Sequence, residues 1–125
     1  MKIIRALEMV GFLREGVTDC VGLWELMGSV EKVYPDVTGQ LRVDMMTELA
    51  RDLLVGGYMK AGEVITDEDG YLEVDSLGRS VDETVGMIRK QVESSSQDSF
   101  GQGFHLQTTE RGRKLLESYG YCLEL

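Results

Sequence analysis

The chain has 125 residues with one proline and two cysteines, 42% hydrophobic and 28% charged, a composition that fits one globular domain and excludes a disordered, collagen-like or disulfide-rich chain. Its 13 basic residues against 22 acidic ones leave a net charge of −9, so bulk attraction to nucleic acid or to an anionic lipid surface is disfavoured. No apolar run approaches the roughly 20 residues of a membrane-spanning helix, and Met1–Glu8 mixes charges into its apolar positions without a signal-peptide core; the expected setting is the cytoplasm, with Cys20 and Cys122 reduced.

Taken in chain order, Ile3, Ile4, Leu7, Val10 and Leu13 recur at three- and four-residue steps and predict an amphipathic helix over 3–15, with Gly16 as its stop. A second helix is expected from Thr18 or Asp19 to about Gly28, with Val21, Leu23, Trp24 and Met27 on its apolar face and Trp24 as a core anchor. Residues 29–37, which contain Tyr34-Pro35-Asp36, read as a connection, because a residue before proline avoids the helical region. The strongest helix covers 38–55: Thr38 caps it, Leu41, Met45, Leu49 and Leu53 point inward, and Gly56-Gly57 supplies a left-handed stop. Residues 58–66 and 71–74 then read as two strands joined through Asp67-Glu68-Asp69-Gly70, a hairpin signal. Ser80-Val81-Asp82-Glu83 has the capping-box spacing and opens a helix to about residue 93. A serine-rich loop over 94–99 follows, then a strand at Phe104–Gln107, then a last helix capped by Thr108 or Thr109 with Leu115, Leu116 and Tyr119 as its apolar residues. The expected fold is a single α+β domain over 1–125.

Two segments carry a resemblance. Thr47–Tyr58 resembles the end of a recognition helix running into a wing strand, and Leu106-Gln107-Thr108-Thr109-Glu110-Arg111-Gly112-Arg113-Lys114-Leu115-Leu116 is similar to the closing "L-T-x-x-G-R-x-L-L" segment of winged helix-turn-helix regulators of the MarR and PadR kind. In such a closing segment a threonine caps the helix, and a glycine in its first turn admits close packing of the preceding strand. The resemblance implies an elaborated winged-helix-like domain with an extra helix, 80–93, inserted between wing strands.

The charges argue against the DNA binding that the resemblance implies. Residues 38–57 hold Arg42 and Arg51 against Asp44, Glu48 and Asp52, a net of −1; residues 58–79 hold Lys60 and Arg79 against six carboxylates, a net of −4. Phosphate contacts need lysine and arginine at these places. Constellations for chemistry are also missing from the sequence. Placing Gly70 at the sixth position of a calcium loop puts Ile65 at the first ligand position and Ser76 at the last, and neither satisfies the oxygen and bidentate-glutamate requirements. His105 is the only histidine; it reads as partly buried or surface-lying, with no motif tying it to Cys20 or Cys122. No catalytic set, metal site or cofactor is expected.

Two functional readings follow. The first is an acidic, non-enzymatic protein-binding module, of the kind that immunity proteins and antitoxins represent, whose carboxylates occupy the phosphate-binding places of a basic toxin such as a nuclease. Its expected partner surface is the hairpin, with Glu63, Asp67, Glu68, Asp69, Tyr71, Glu73 and Asp75. The alternative is a winged-helix transcriptional regulator.

Overall fold

The computed structural model describes residues 3–66, 68–70, 72–76, 78–94 and 104–120. Among them the chain forms helix α1 (Ile3–Thr18), strand β1 (Val21–Gly22), helices α2 (Leu23–Val33) and α3 (Gly39–Val55), strands β2 (Met59–Thr66) and β3 (Leu72–Asp75), helix α4 (Val81–Ser94), strand β4 (His105–Thr108) and helix α5 (Glu110–Ser118). The strands make one antiparallel sheet in the order β1-β4-β2-β3. This is an α+β arrangement. The serine-rich segment beyond Ser94 and Cys122 lie outside the described residues.

The first two helices differ from expectation, for reasons that lie far away in the chain. Gly16 does not stop α1, which continues to Thr18. A Cβ there would stand 2.6 Å from the Thr108 hydroxyl oxygen and 2.8 Å from the end of Met59, so the glycine lets α1 settle onto the sheet. At the same contact the Thr108 hydroxyl donates to the Leu13 carbonyl at 2.8 Å. Val21 and Gly22 are strand, not helix: they pair with Leu106 and His105 of β4. Gly22 also closes that strand as the N-cap of α2, where its N–H donates to the Glu25 carboxylate at 2.9 Å. The helix then runs to Val33, beyond the expected Gly28, and ends at Tyr34, whose backbone leaves the helical region just before Pro35.

Helix α3 forms where expected. Met46, Leu49, Ala50, Leu53 and Leu54 are buried, whereas Leu41 is 58% exposed and Met45 is half-buried. The geometry of a repeat of four explains the correction. Each four-residue step overshoots a 3.6-residue turn by about 40°, so Leu41 lies about 120° around the helix from Leu53. Trp24 is likewise no core anchor: it is 43% exposed, its ring lying over Gly22 and edge-on to His105 with centroids 5.6 Å apart. Tyr119, expected on the apolar face of the last helix, is exposed beyond the end of α5.

The core lies between the sheet and the helices. Val21, Met59, Ala61 and Leu106 from the strands meet Phe12, Leu13, Leu26, Met46, Leu49 and Leu53 from α1, α2 and α3. Helix α4 adds Val85, Ile88 and Val92. The Ser80 hydroxyl oxygen caps α4 by accepting from the Glu83 N–H at 3.1 Å, one half of the expected capping box. Thr109, rather than Thr108, caps α5 and accepts from the Gly112 N–H at 3.2 Å. Gly112 admits the Tyr58 carbonyl, which a Cβ would meet at 2.2 Å.

Candidate interaction surface

The hairpin of β2 and β3 is built around one glycine and one turn. A Cβ on Gly62 would fall 1.8 Å from the Asp75 carbonyl oxygen, so only glycine lets β3 lie against β2 at this level. On its other side Gly62 pairs with His105 of β4. The Val74 N–H donates to the Gln107 carboxamide oxygen at 3.1 Å, and the Val74 side chain is fully buried. At the far end Gly70 takes a φ of 83°, a left-handed turn conformation.

This frame sets the register of the charges. Glu63 stands opposite Asp75, Val64 opposite Val74, and Ile65 opposite Glu73. Residues opposite one another share a face of the ladder. One face of the hairpin therefore holds Glu63, Asp75 and Glu73 around Ile65, which is 47% exposed. Glu63 and Glu73 are exposed, Asp75 is half-buried, and Glu68 and Asp69 are exposed in the turn. The Lys60 ammonium lies 3.4 Å from a Glu73 oxygen, a surface pair of small energetic weight. Asp67 and Tyr71 lie outside the described residues. Ile65 was not among the residues expected at this surface, yet its two-residue step from Glu63 carries the signal, since alternate strand residues point the same way.

The other surface of interest is α3, the helix that would read DNA in a winged-helix regulator. Its arginines are taken up within the protein. Arg42 pairs with Glu31 at 3.1 Å and donates to the Val37 carbonyl; Arg51 pairs with Asp82 of α4 at 2.6 Å. Arg89 of α4 reaches back to Asp44 at 2.6 Å and to the Thr47 hydroxyl at 2.9 Å. The Arg89 guanidinium and, after it, the Gln40 amide hold the Asp44 carboxyl below its ordinary range. Helix α4 thus lies along the flank of α3 that carries Gln40, Asp44, Thr47 and Arg51.

The two groups weighed for chemistry are placed as follows. Burial pushes the Cys20 thiol above its ordinary range; the neighbouring Asp19 carboxylate adds to this, against an opposing pull from Lys60. A thiol so placed is protonated near neutral pH and is a poor nucleophile. His105 offers its ring to the edge contact with Trp24. Among the described residues no three histidine, cysteine or carboxylate side chains come together to hold a metal ion. Neither a protein-family model, nor a curated protein, nor a solved structure matches this chain.

Proposed function

We propose that the chain is a non-enzymatic protein-binding module that presents its acidic hairpin to a basic protein, in the manner of an immunity protein or antitoxin that covers a nuclease-like toxin. The observation that carries this reading is the direct opposition of Glu63 and Asp75 across β2 and β3, with Glu73 and the exposed Ile65 on the same face. Like charges directly opposed in a ladder disfavour the hairpin that holds them. A cationic partner supplies opposite charge to this face and to the exposed Glu68 and Asp69 of the turn, and Ile65 adds apolar contact at the centre of the patch.

The scaffold in this reading is winged-helix-like. Its support is the order of elements: a helix, a two-residue strand, two helices and a hairpin, with the short first strand paired to the strand that precedes the closing helix. Strand β3 and helix α4 are then the elaboration between the wing strands.

The test exploits opposite signs. Glu63→Lys converts a like-charged cross-strand pair into an attractive one and stabilises the fold by about 0.2–1 kcal/mol. In the same variant, and more so with Glu68→Lys and Asp69→Lys added, association with the basic partner slows and loses salt dependence. Stopped-flow binding against the purified products of the genes flanking this one reads the rates, and urea unfolding reads the stability. A stabilised variant whose association rate and affinity are unchanged removes the hairpin as the partner surface.

A further inference from the structure

The outward face of α3 is a seam with the spacing of a coiled coil. Leu41, Met45, Glu48, Asp52 and Val55 follow one another at steps of four, three, four and three residues. That mean of 3.5 keeps them on one line along the helix, drifting only about 20° per heptad. Leu41 and Val55, at 58% and 65% exposed, are two of the large apolar side chains left on the surface, and they stand at the two ends of the seam. Glu48, its side chain 63% exposed and only 4.0 Å from Arg51 in a loose surface pair, stands at the centre with Asp52 one turn on. Met45 lies half-buried between Leu41 and Glu48 and packs against the core. The seam is about 21 Å long at 1.5 Å per residue. It lies beside the flank that α4 covers, and along it Leu41, Glu48 and Val55 are exposed while Met45 and Asp52 are half-buried.

We propose that this seam docks a cationic amphipathic helix from a partner protein, with apolar side chains meeting Leu41 and Val55 and a lysine or arginine meeting Glu48 and Asp52. Three features select that occupant. Duplex DNA is disfavoured because the seam contains carboxylates and no base, and the neighbouring Arg51 is held by Asp82 at 2.6 Å. A second copy is disfavoured because a two-fold axis through the seam sets Glu48 against its own equivalent. Polar residues placed between apolar ones in a seam are the device by which helix pairs choose partner and register, and here the charges of Glu48 and Asp52 choose a cation. The inference stands apart from the hairpin reading, since it concerns a different element and a different shape of partner.

The probe is a pair of fluorescein-labelled 21-residue helical peptides. Both carry leucine at the ends of a matching seam; one carries two lysines at its centre and the other two glutamates. Titrated with the full chain at low salt and followed by anisotropy, the lysine peptide is expected to bind at least about tenfold more tightly than the glutamate peptide. In Glu48→Lys/Asp52→Lys the preference inverts; Leu41→Ser, at an exposed site where circular dichroism checks the fold, weakens both peptides; Glu68→Lys/Asp69→Lys in the hairpin turn leaves the ranking unchanged. Equal binding of the two peptides, or no binding of either at millimolar concentration, overturns the proposal. So does a concentration-dependent dimer in sedimentation that Leu41→Ser abolishes, because the seam would then belong to a second copy.

Discussion

At the scale of single residues, burial rather than residue type separates structural positions from surface ones on the same helix. Leu49 is fully buried among α1, α2 and the sheet, and Leu41, two turns earlier on α3, is open to water. Leu49→Ala is expected to cost about 2–5 kcal/mol in urea unfolding, the range for a leucine truncated in a packed core, while Leu41→Ala stays within about 0.5 kcal/mol. Glu15 acts in the opposite sense. Its carboxyl is raised above the ordinary 4.5 by burial first, then by a hydrogen bond to Glu25 and by the charges of Glu25 and Asp19. A carboxyl with a raised folded-state value binds its proton more tightly in the folded chain. That favours folding below the ordinary value, and the advantage is lost as pH rises through the raised one. At neutral pH the ionised Glu15 therefore opposes folding, so Glu15→Gln is expected to raise Tm at pH 7 and to change it little near pH 3. An equal shift at both pH values would remove Glu15 as the source.

Whole elements are legible in the sequence where their determinants are local. The caps at Ser80 and Thr109, the turn glycine Gly70 and the apolar pattern of α3 each sit within a few residues of what they control, and each element appears close to its expected bounds. Strand β1 was not legible, because Val21 and Gly22 become strand only by pairing with Leu106 and His105, more than 80 positions later. Gly16 misleads for the same reason: its meaning is set by Thr108 and Met59, not by its neighbours. In the hairpin the acids were visible as a cluster, but their opposition across the ladder and the place of Ile65 among them depend on register. That register depends on Gly62. Gly62→Ala drives a methyl group into the Asp75 carbonyl, an overpacking worth about 1–3 kcal/mol. Hydrogen exchange is expected to show lost protection over residues 63–66 and 72–75, with α3 and α5 protected as before. Uniform loss across the chain would mean that the hairpin is not a separable unit.

For the molecule as a whole, charge weighs on the proposed choice between a protein-binding module and a DNA-binding regulator. Duplex binding draws its affinity from releasing counterions as lysines and arginines reach phosphates, and each such contact steepens the fall of affinity with salt. This chain carries −9 overall, and Arg42, Arg51 and Arg89, the bases on or beside α3, each meet a carboxylate within 3.1 Å. Freeing an arginine for a phosphate would break a contact already made and leave Glu31, Asp82 or Asp44 facing the DNA backbone. The expected outcome of a gel shift with genomic fragments at low salt is no retarded band at micromolar protein, where non-specific binders with open basic faces already bind. Asp82→Ala, Glu31→Ala and Glu48→Ala together remove the carboxylate partners of Arg51 and Arg42, leaving Arg42 only its bond to the Val37 carbonyl, and are expected to produce weak, salt-sensitive retardation where the parent chain gives none. Nanomolar binding of the parent chain with a steep salt slope would place its function with the DNA-binding regulators, and both the hairpin and the α3 seam would then need a different explanation.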